Sequence, residues 1–177
     1  MNEIRKPPAA PPTAMDRSTF VKTFGPVFEH SSWIAEAAFE RGLPADADRA
    51  EGLHRALCAV LRAASGPEQR ALIEAHPDLA GRLARAGRLT ADSTSEQASA
   101  GLDQLTDEER ARFLALNDAY RARFGFPFVM AIKARSKLEI LRAFERRLDN
   151  DAALEQKAAL AEIEQIALLR LSDLLPA

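Results

Sequence analysis

His76 stands directly before Pro77, where a helical stretch carrying Leu72 and Ile73 has to stop. Proline lacks an amide hydrogen and restricts the residue before it, so this imidazole is presented at a helix terminus. An imidazole titrates near neutrality and can pass a proton to a substrate, or it can simply be stabilised by the carbonyl end of the helix dipole. Ser93, Glu96 and Gln97 fall together where a polar run gives way to helical character. Their hydroxyl, carboxylate and amide serve equally as helix-end contacts or as hooks for a polar ligand. Arg170, in Leu168-Leu169-Arg170-Leu171, interrupts an apolar stretch. A guanidinium so surrounded either reaches out to solvent or is held for a buried anion. Each of these groups lies next to a breaker or inside an apolar run, where a side chain can face a cleft.

Other chemistries lack their signals. No two of His30, His54 and His76 are three or four residues apart, so no pair shares a helical face, and no metal site is expected. The single cysteine, Cys58, lies in the apolar run over residues 57–61 and reads as a small core residue with no nucleophile motif around it. Gly-rich phosphate loops, Gly-x-Ser-x-Gly and Gly-x-Gly-x-x-Gly are absent. A net charge of -2 gives no electrostatic footprint for nucleic acid or an anionic membrane. No apolar stretch approaches the roughly 18 to 20 residues that span a bilayer, and the start lacks an apolar signal core. Ser136-Lys137-Leu138 is internal and cannot act as a C-terminal address. A cytoplasmic location is expected.

The elements that must position these groups are helical. The length of 177 residues suits one domain with a real core, and Ala, Leu, Glu and Arg outnumber Val, Ile and Thr. The fold class expected is all-α, a single domain of about eight or nine helices in a compact bundle. Pro7, Pro8, Pro11 and Pro12 make residues 1–15 an expected disordered arm, leaving 16–177 as the helical domain. Helices are expected to open at Ser18, at Ser31 or Ser32, and at Asp46 or Asp48, the last burying Leu53, Leu57, Val60 and Leu61. A fourth has Pro67 in its first turn and ends near His76, and a fifth covers residues 78–86. Residues 88–95 read as the longest polar interruption, with helical character resuming at Glu96. Thr106 with Glu109 and Ser136 with Glu139 have capping-box spacing, and Asn150 or Asp151 can cap the last helix. Between them, residues 126–132 form an apolar run broken by Pro127, read as extended and largely buried.

These places carry ordered motifs: Phe28-Glu29-His30-Ser31-Ser32-Trp33, His76-Pro77-Asp78-Leu79, Ser93-Thr94-Ser95-Glu96-Gln97 with Ala100-Gly101-Leu102, Asn117-Asp118-Ala119-Tyr120-Arg121 with Phe124-Gly125-Phe126-Pro127-Phe128, and Leu169-Arg170-Leu171. In them the chain resembles the 2-oxo-4-hydroxy-4-carboxy-5-ureidoimidazoline (OHCU) decarboxylases of urate degradation, over about residues 20–175. The resemblance implies an all-helical homodimer that decarboxylates a purine-derived small molecule to (S)-allantoin without cofactor. It makes His76 the catalytic acid, with Glu96 and Arg170 completing the catalytic set. Pro77, Ser93, Gln97, Phe128, Val129, Met130, Ala131 and Ile132 would then line the substrate site. The rival expectation is a non-catalytic helical module that binds a small molecule or a partner.

Overall fold

The computed structural model describes residues 8–81 and 89–177. Among them are eight α-helices and no strand: α1 (Arg17–Phe24), α2 (Trp33–Glu40), α3 (Ala50–Ala63), α4 (Gly66–Ala75), α5 (Ala91–Ser99), α6 (Asp107–Phe124), α7 (Lys137–Leu148) and α8 (Ala152–Ser172). The all-α expectation therefore holds. Contacts gather the chain into two compact units, Met1–Ala75 with Ile163–Ala177, and His76–Glu162. No helix of the described residues is long and apolar enough to cross a membrane.

In the first unit α1 packs on α2, and α2 on α3. Leu53, Leu57, Val60 and Leu61 are buried as their spacing predicts, and Phe20 meets Phe24 and Phe39 at ring-centroid distances of 5.0 and 5.3 Å. Each such side chain contributes about 1.5–3 kcal/mol when taken out of water. Two local expectations are corrected here. Neither Asp46 nor Asp48 caps α3, whose N-cap position is Arg49 with no side-chain bond. Asp46 pairs with Arg55, while Asp48 accepts from both the amide and the hydroxyl of Thr13. Those bonds also shorten the expected disordered arm: Pro12–Ala14 form a 3-10 turn, and Pro12 and Met15 are buried.

In the second unit α6 packs on α7. Both expected capping boxes are formed, Thr106 with Glu109 and Ser136 with Glu139. Gly125 ends α6 at φ 74°, the left-handed conformation glycine adopts without a Cβ penalty. Its core is aromatic: Tyr120 meets Phe128 and Phe144 edge-on, and Phe128 stacks on Phe144 at 3.8 Å. Residues 126–132, to which Phe126 and Phe128 belong, carry no helix or strand, as Pro127 leads one to expect. The fifth expected helix, over 78–86, differs: residues 78–81 form a turn, and the rest lies outside the described residues. α5 begins at Ala91, five residues before the expected Glu96, because the Thr90 side chain accepts from Ser93 N and satisfies an otherwise orphaned amide.

Candidate active site

α4 ends at Ala75, and His76 follows it, buried, with half-buried Pro77 next. The chain then turns sharply. Ala80 has φ 51°, a conformation costing a side-chain-bearing residue about 1–3 kcal/mol unless its surroundings hold it. A Cβ on Gly81 would lie 2.5 Å from the Asp78 Cβ, so the turn closes only on glycine. Three side chains from two helices grip it. Gln97 Oε1 on α5 accepts from Ala80 N at 2.9 Å, and its Nε2 is 3.5 Å from the Asp78 carbonyl. From α6, Asn117 Nδ2 donates to Leu79 O at 2.9 Å, and Arg121 Nε donates to Asp78 Oδ1 at 2.9 Å.

Ser93, Glu96 and Gln97 are spaced i, i+3, i+4 on α5 and so share one helical face. Ser93 and Gln97 are buried, and Glu96 is half-buried. The carboxylate at Glu96 therefore projects from a regular helix, where the sequence places it at the end of a polar run.

Phe128, Val129, Met130, Ala131 and Ile132 are all buried. Buried backbone outside helices and strands needs partners. Arg147 Nη1 donates to Val129 O at 2.7 Å, and Ala131 N donates to Glu162 Oε2 at 2.9 Å. The Ala131 N–H is thus engaged by a carboxylate in this structure. The Arg147 guanidinium also lies 4.5 Å from the Phe128 ring centroid. Glu155 neutralises it: this fully buried carboxylate accepts from Arg147 Nε at 2.8 Å, from Asn150 Nδ2 at 2.6 Å and from the Tyr120 hydroxyl. Burial, reinforced by the Glu155 hydrogen bond, pushes the Tyr120 phenol far above its ordinary range.

His76, Pro77, Ser93, Glu96, Gln97 and residues 128–132 belong to the second unit; Arg170 belongs to the first. Arg170 is buried and does not reach solvent. Its Nη1 donates to Val27 O at 3.2 Å and to Glu29 Oε2 at 3.1 Å, with both partners of the ion pair almost fully enclosed. Charge burial of this kind is costly unless paired, and Glu29 pairs it. Sequence reasoning passed over Glu29, Asn117, Arg147 and Glu155 as site-building residues. Their signal was a polar group at an apolar register: Arg147 continues the buried face of Ile140 and Phe144, and Glu155 that of Ala159, Ile163 and Ile166. Cys58 is buried against His54, with Sγ 3.2 Å from Nε2, and burial pushes its thiol up to about 12, which removes it as a neutral-pH nucleophile.

Comparison with known proteins identifies the family. The family model for OHCU decarboxylase matches residues 13–172. The chain is 40% identical over 159 residues to a 2-oxo-4-hydroxy-4-carboxy-5-ureidoimidazoline decarboxylase of Halalkalicoccus jeotgali, covering 90% of this chain and 86% of that protein. It is 41% identical over 162 residues to the uric acid degradation bifunctional protein PucL of Bacillus subtilis, covering 91% of this chain but only 31% of that longer protein. Among solved structures it is similar to (S)-allantoin synthase, with a TM-score of 0.71 and 28% identity over 92% of this chain and 52% of the other. Because the match runs through nearly every described helix and covers most of the decarboxylase from Halalkalicoccus, the chain belongs to the OHCU decarboxylase family.

Proposed function

We propose that the chain releases carbon dioxide from 2-oxo-4-hydroxy-4-carboxy-5-ureidoimidazoline and yields (S)-allantoin. The observation that carries this reading is the 40% identity to a decarboxylase of that name over 90% of the chain. The buried His76, held at a helix end by a gripped turn, supports it.

In this reading the bond from the ring carbon to the carboxylate breaks and its electron pair stays on the ring carbon. The neighbouring carbonyl or imine takes up that pair as an enolate-like anion, so the substrate is its own electron sink and needs no pyridoxal, thiamine or metal. A proton then makes the new C–H bond. His76 delivers it to one face, which sets the hand of the product, and recovers a proton from solvent. Glu96 orients the imidazole or holds a substrate hydroxyl or N–H. Following the family resemblance, Arg170 holds anionic oxygen, for which a planar fork of donors is suited. Pro77, Ser93, Gln97 and residues 128–132 line the substrate, fixing it before charge moves.

The same reading takes residues 16–177 as one decarboxylase-like domain, supported by the family match over 13–172, and takes the protein as a cytoplasmic homodimer. Light scattering on the purified protein tests the dimer; a mass of one chain refutes it. The activity is tested by generating the substrate in place from urate with urate oxidase and hydroxyisourate hydrolase, then following substrate and allantoin by carbon NMR. Conversion faster than spontaneous decay is expected. Decay at the same rate with and without the protein refutes the reading.

A further inference from the structure

Three consecutive residues after His76-Pro77, namely Asp78, Leu79 and Ala80, are gripped by side chains, and two of the grips come from one helix. Asn117 and Arg121 are one turn apart on α6, so they project from one face. Asn117 Nδ2 donates to Leu79 O and Arg121 Nε donates to Asp78 Oδ1, both at 2.9 Å. We propose that Asn117 and Arg121 are positioning residues that set the direction of the His76 imidazole by holding the 78–81 turn against α6. This rests on the reading of His76 as the proton donor.

The residue types argue for the role. Asn117 is buried, and its Oδ1 has no hydrogen-bond partner among the described residues. The amide cannot be turned round to relieve this, because its oxygen would then face the Leu79 carbonyl. An apolar side chain of similar size would fill the place without an orphaned acceptor, but it would give Leu79 O no donor. The turn needs such help: Ala80 is left-handed without being glycine, and Gly81 abuts Asp78. A backbone in that state keeps one conformation only while its surroundings over-determine it. His76 is separated from the gripped residues by Pro77 alone, whose fixed φ transmits the direction of the turn to the imidazole-bearing residue.

The Arg121–Asp78 pair is partly exposed, at 43% and 22% of the side chains, so Arg121→Ala and Asp78→Asn are expected to fold. Asn117→Ala and Asn117→Asp test the buried grip, and Arg121→Lys is the conservative rescue. Two measurements are made on each variant and on the full-length parent. The first is the imidazole NMR titration of His76, resolved from His30 and His54, which lie in the other unit. The second is turnover and the optical purity of allantoin from substrate generated in place. Expected are a shifted His76 signal and titration midpoint with His30 and His54 unmoved, kcat lower by about tenfold to a hundredfold at nearly constant KM, and partial return in Arg121→Lys. An unmoved His76 signal in folded Arg121→Ala and Asp78→Asn overturns the positioning role. If the parent shows no turnover the decarboxylase reading fails, and the His76 titration still decides whether α6 sets the imidazole.

Discussion

Replacing Glu155 with alanine would leave the Arg147 guanidinium, the Tyr120 hydroxyl and the Asn150 amide without the carboxylate that joins them. The pair is enclosed, with 9% of the Arg147 side chain and 0% of the Glu155 side chain exposed, so water does not take over when the carboxylate goes. Breaking a buried pair by removing one partner costs about 3–5 kcal/mol, against about 0–1 for an exposed one. For a chain of this size that is a fall in Tm of roughly 6–20 °C, at about 2–4 °C per kcal/mol. It is a large share of the roughly 5–15 kcal/mol that such a protein has in total. Because Arg147 also donates to Val129 O and lies over Phe128, the irregular run at 128–132 should loosen with it. The assay is urea unfolding followed by circular dichroism, on Glu155→Ala and on Glu155→Leu combined with Arg147→Met. The double variant should recover part of the loss, since it removes both charges and leaves only neutral groups short of a partner: the Val129 carbonyl, the Tyr120 hydroxyl and the Asn150 amide. A loss below about 1 kcal/mol in Glu155→Ala, or a double variant no more stable than the single one, would refute the reasoning.

Tyr120 is the one tyrosine of the chain, so phenolate absorbance reports it alone. Its folded pKa is raised above the ordinary 10.0, so its contribution to stability is complete below that value and is lost as pH rises past it. Phenolate should appear only together with unfolding; ionisation in the folded state contradicts the burial of the network. Cys58, with its thiol pushed up to about 12, should resist iodoacetamide in the native protein at neutral pH and react on denaturation, leaving activity unchanged until then. Glu109 is held below the usual carboxylate value by the Lys137 side chain and the Thr106 amide, and Glu139 by the Ser136 amide and hydroxyl. Their contribution is present above 4.5 and fades as pH falls through the lowered values, so Glu109→Gln with Glu139→Gln, which removes the two titrating groups, should flatten the acid limb of stability against pH. An unchanged acid limb counts against those caps.

What could be read in the chain depended on how local the signal was. Thr106 with Glu109 and Ser136 with Glu139 need only three residues of sequence to specify two hydrogen bonds each, and both form. Pro77 ends α4 at Ala75, just before His76, for an equally local reason. The start of α5 was hidden because Ala91-Asp92-Ser93-Thr94-Ser95 has no apolar periodicity, and its helicity depends on the Thr90 cap and on burying Ser93 and Gln97. Asp46 and Asp48 looked like caps, but tertiary partners at Arg55 and Thr13 took them. Arg170 stood out as a charge among leucines, whereas its partner Glu29 is 141 residues away and no spacing could name it. The grip on residues 78–81 was illegible for the same reason: it joins a turn to two helices that come later in the chain.

The measurement that bears most directly on the central claim is circular dichroism of allantoin formed from urate, with urate oxidase and hydroxyisourate hydrolase supplying the substrate, in the presence of this protein and of His76→Ala. The account predicts rapid appearance of a single optical hand with the parent, and slow racemic product with the variant. Slow racemic product with both would contradict the decarboxylase reading and leave a helical binding module in its place; one optical hand with both would contradict His76 as the proton donor.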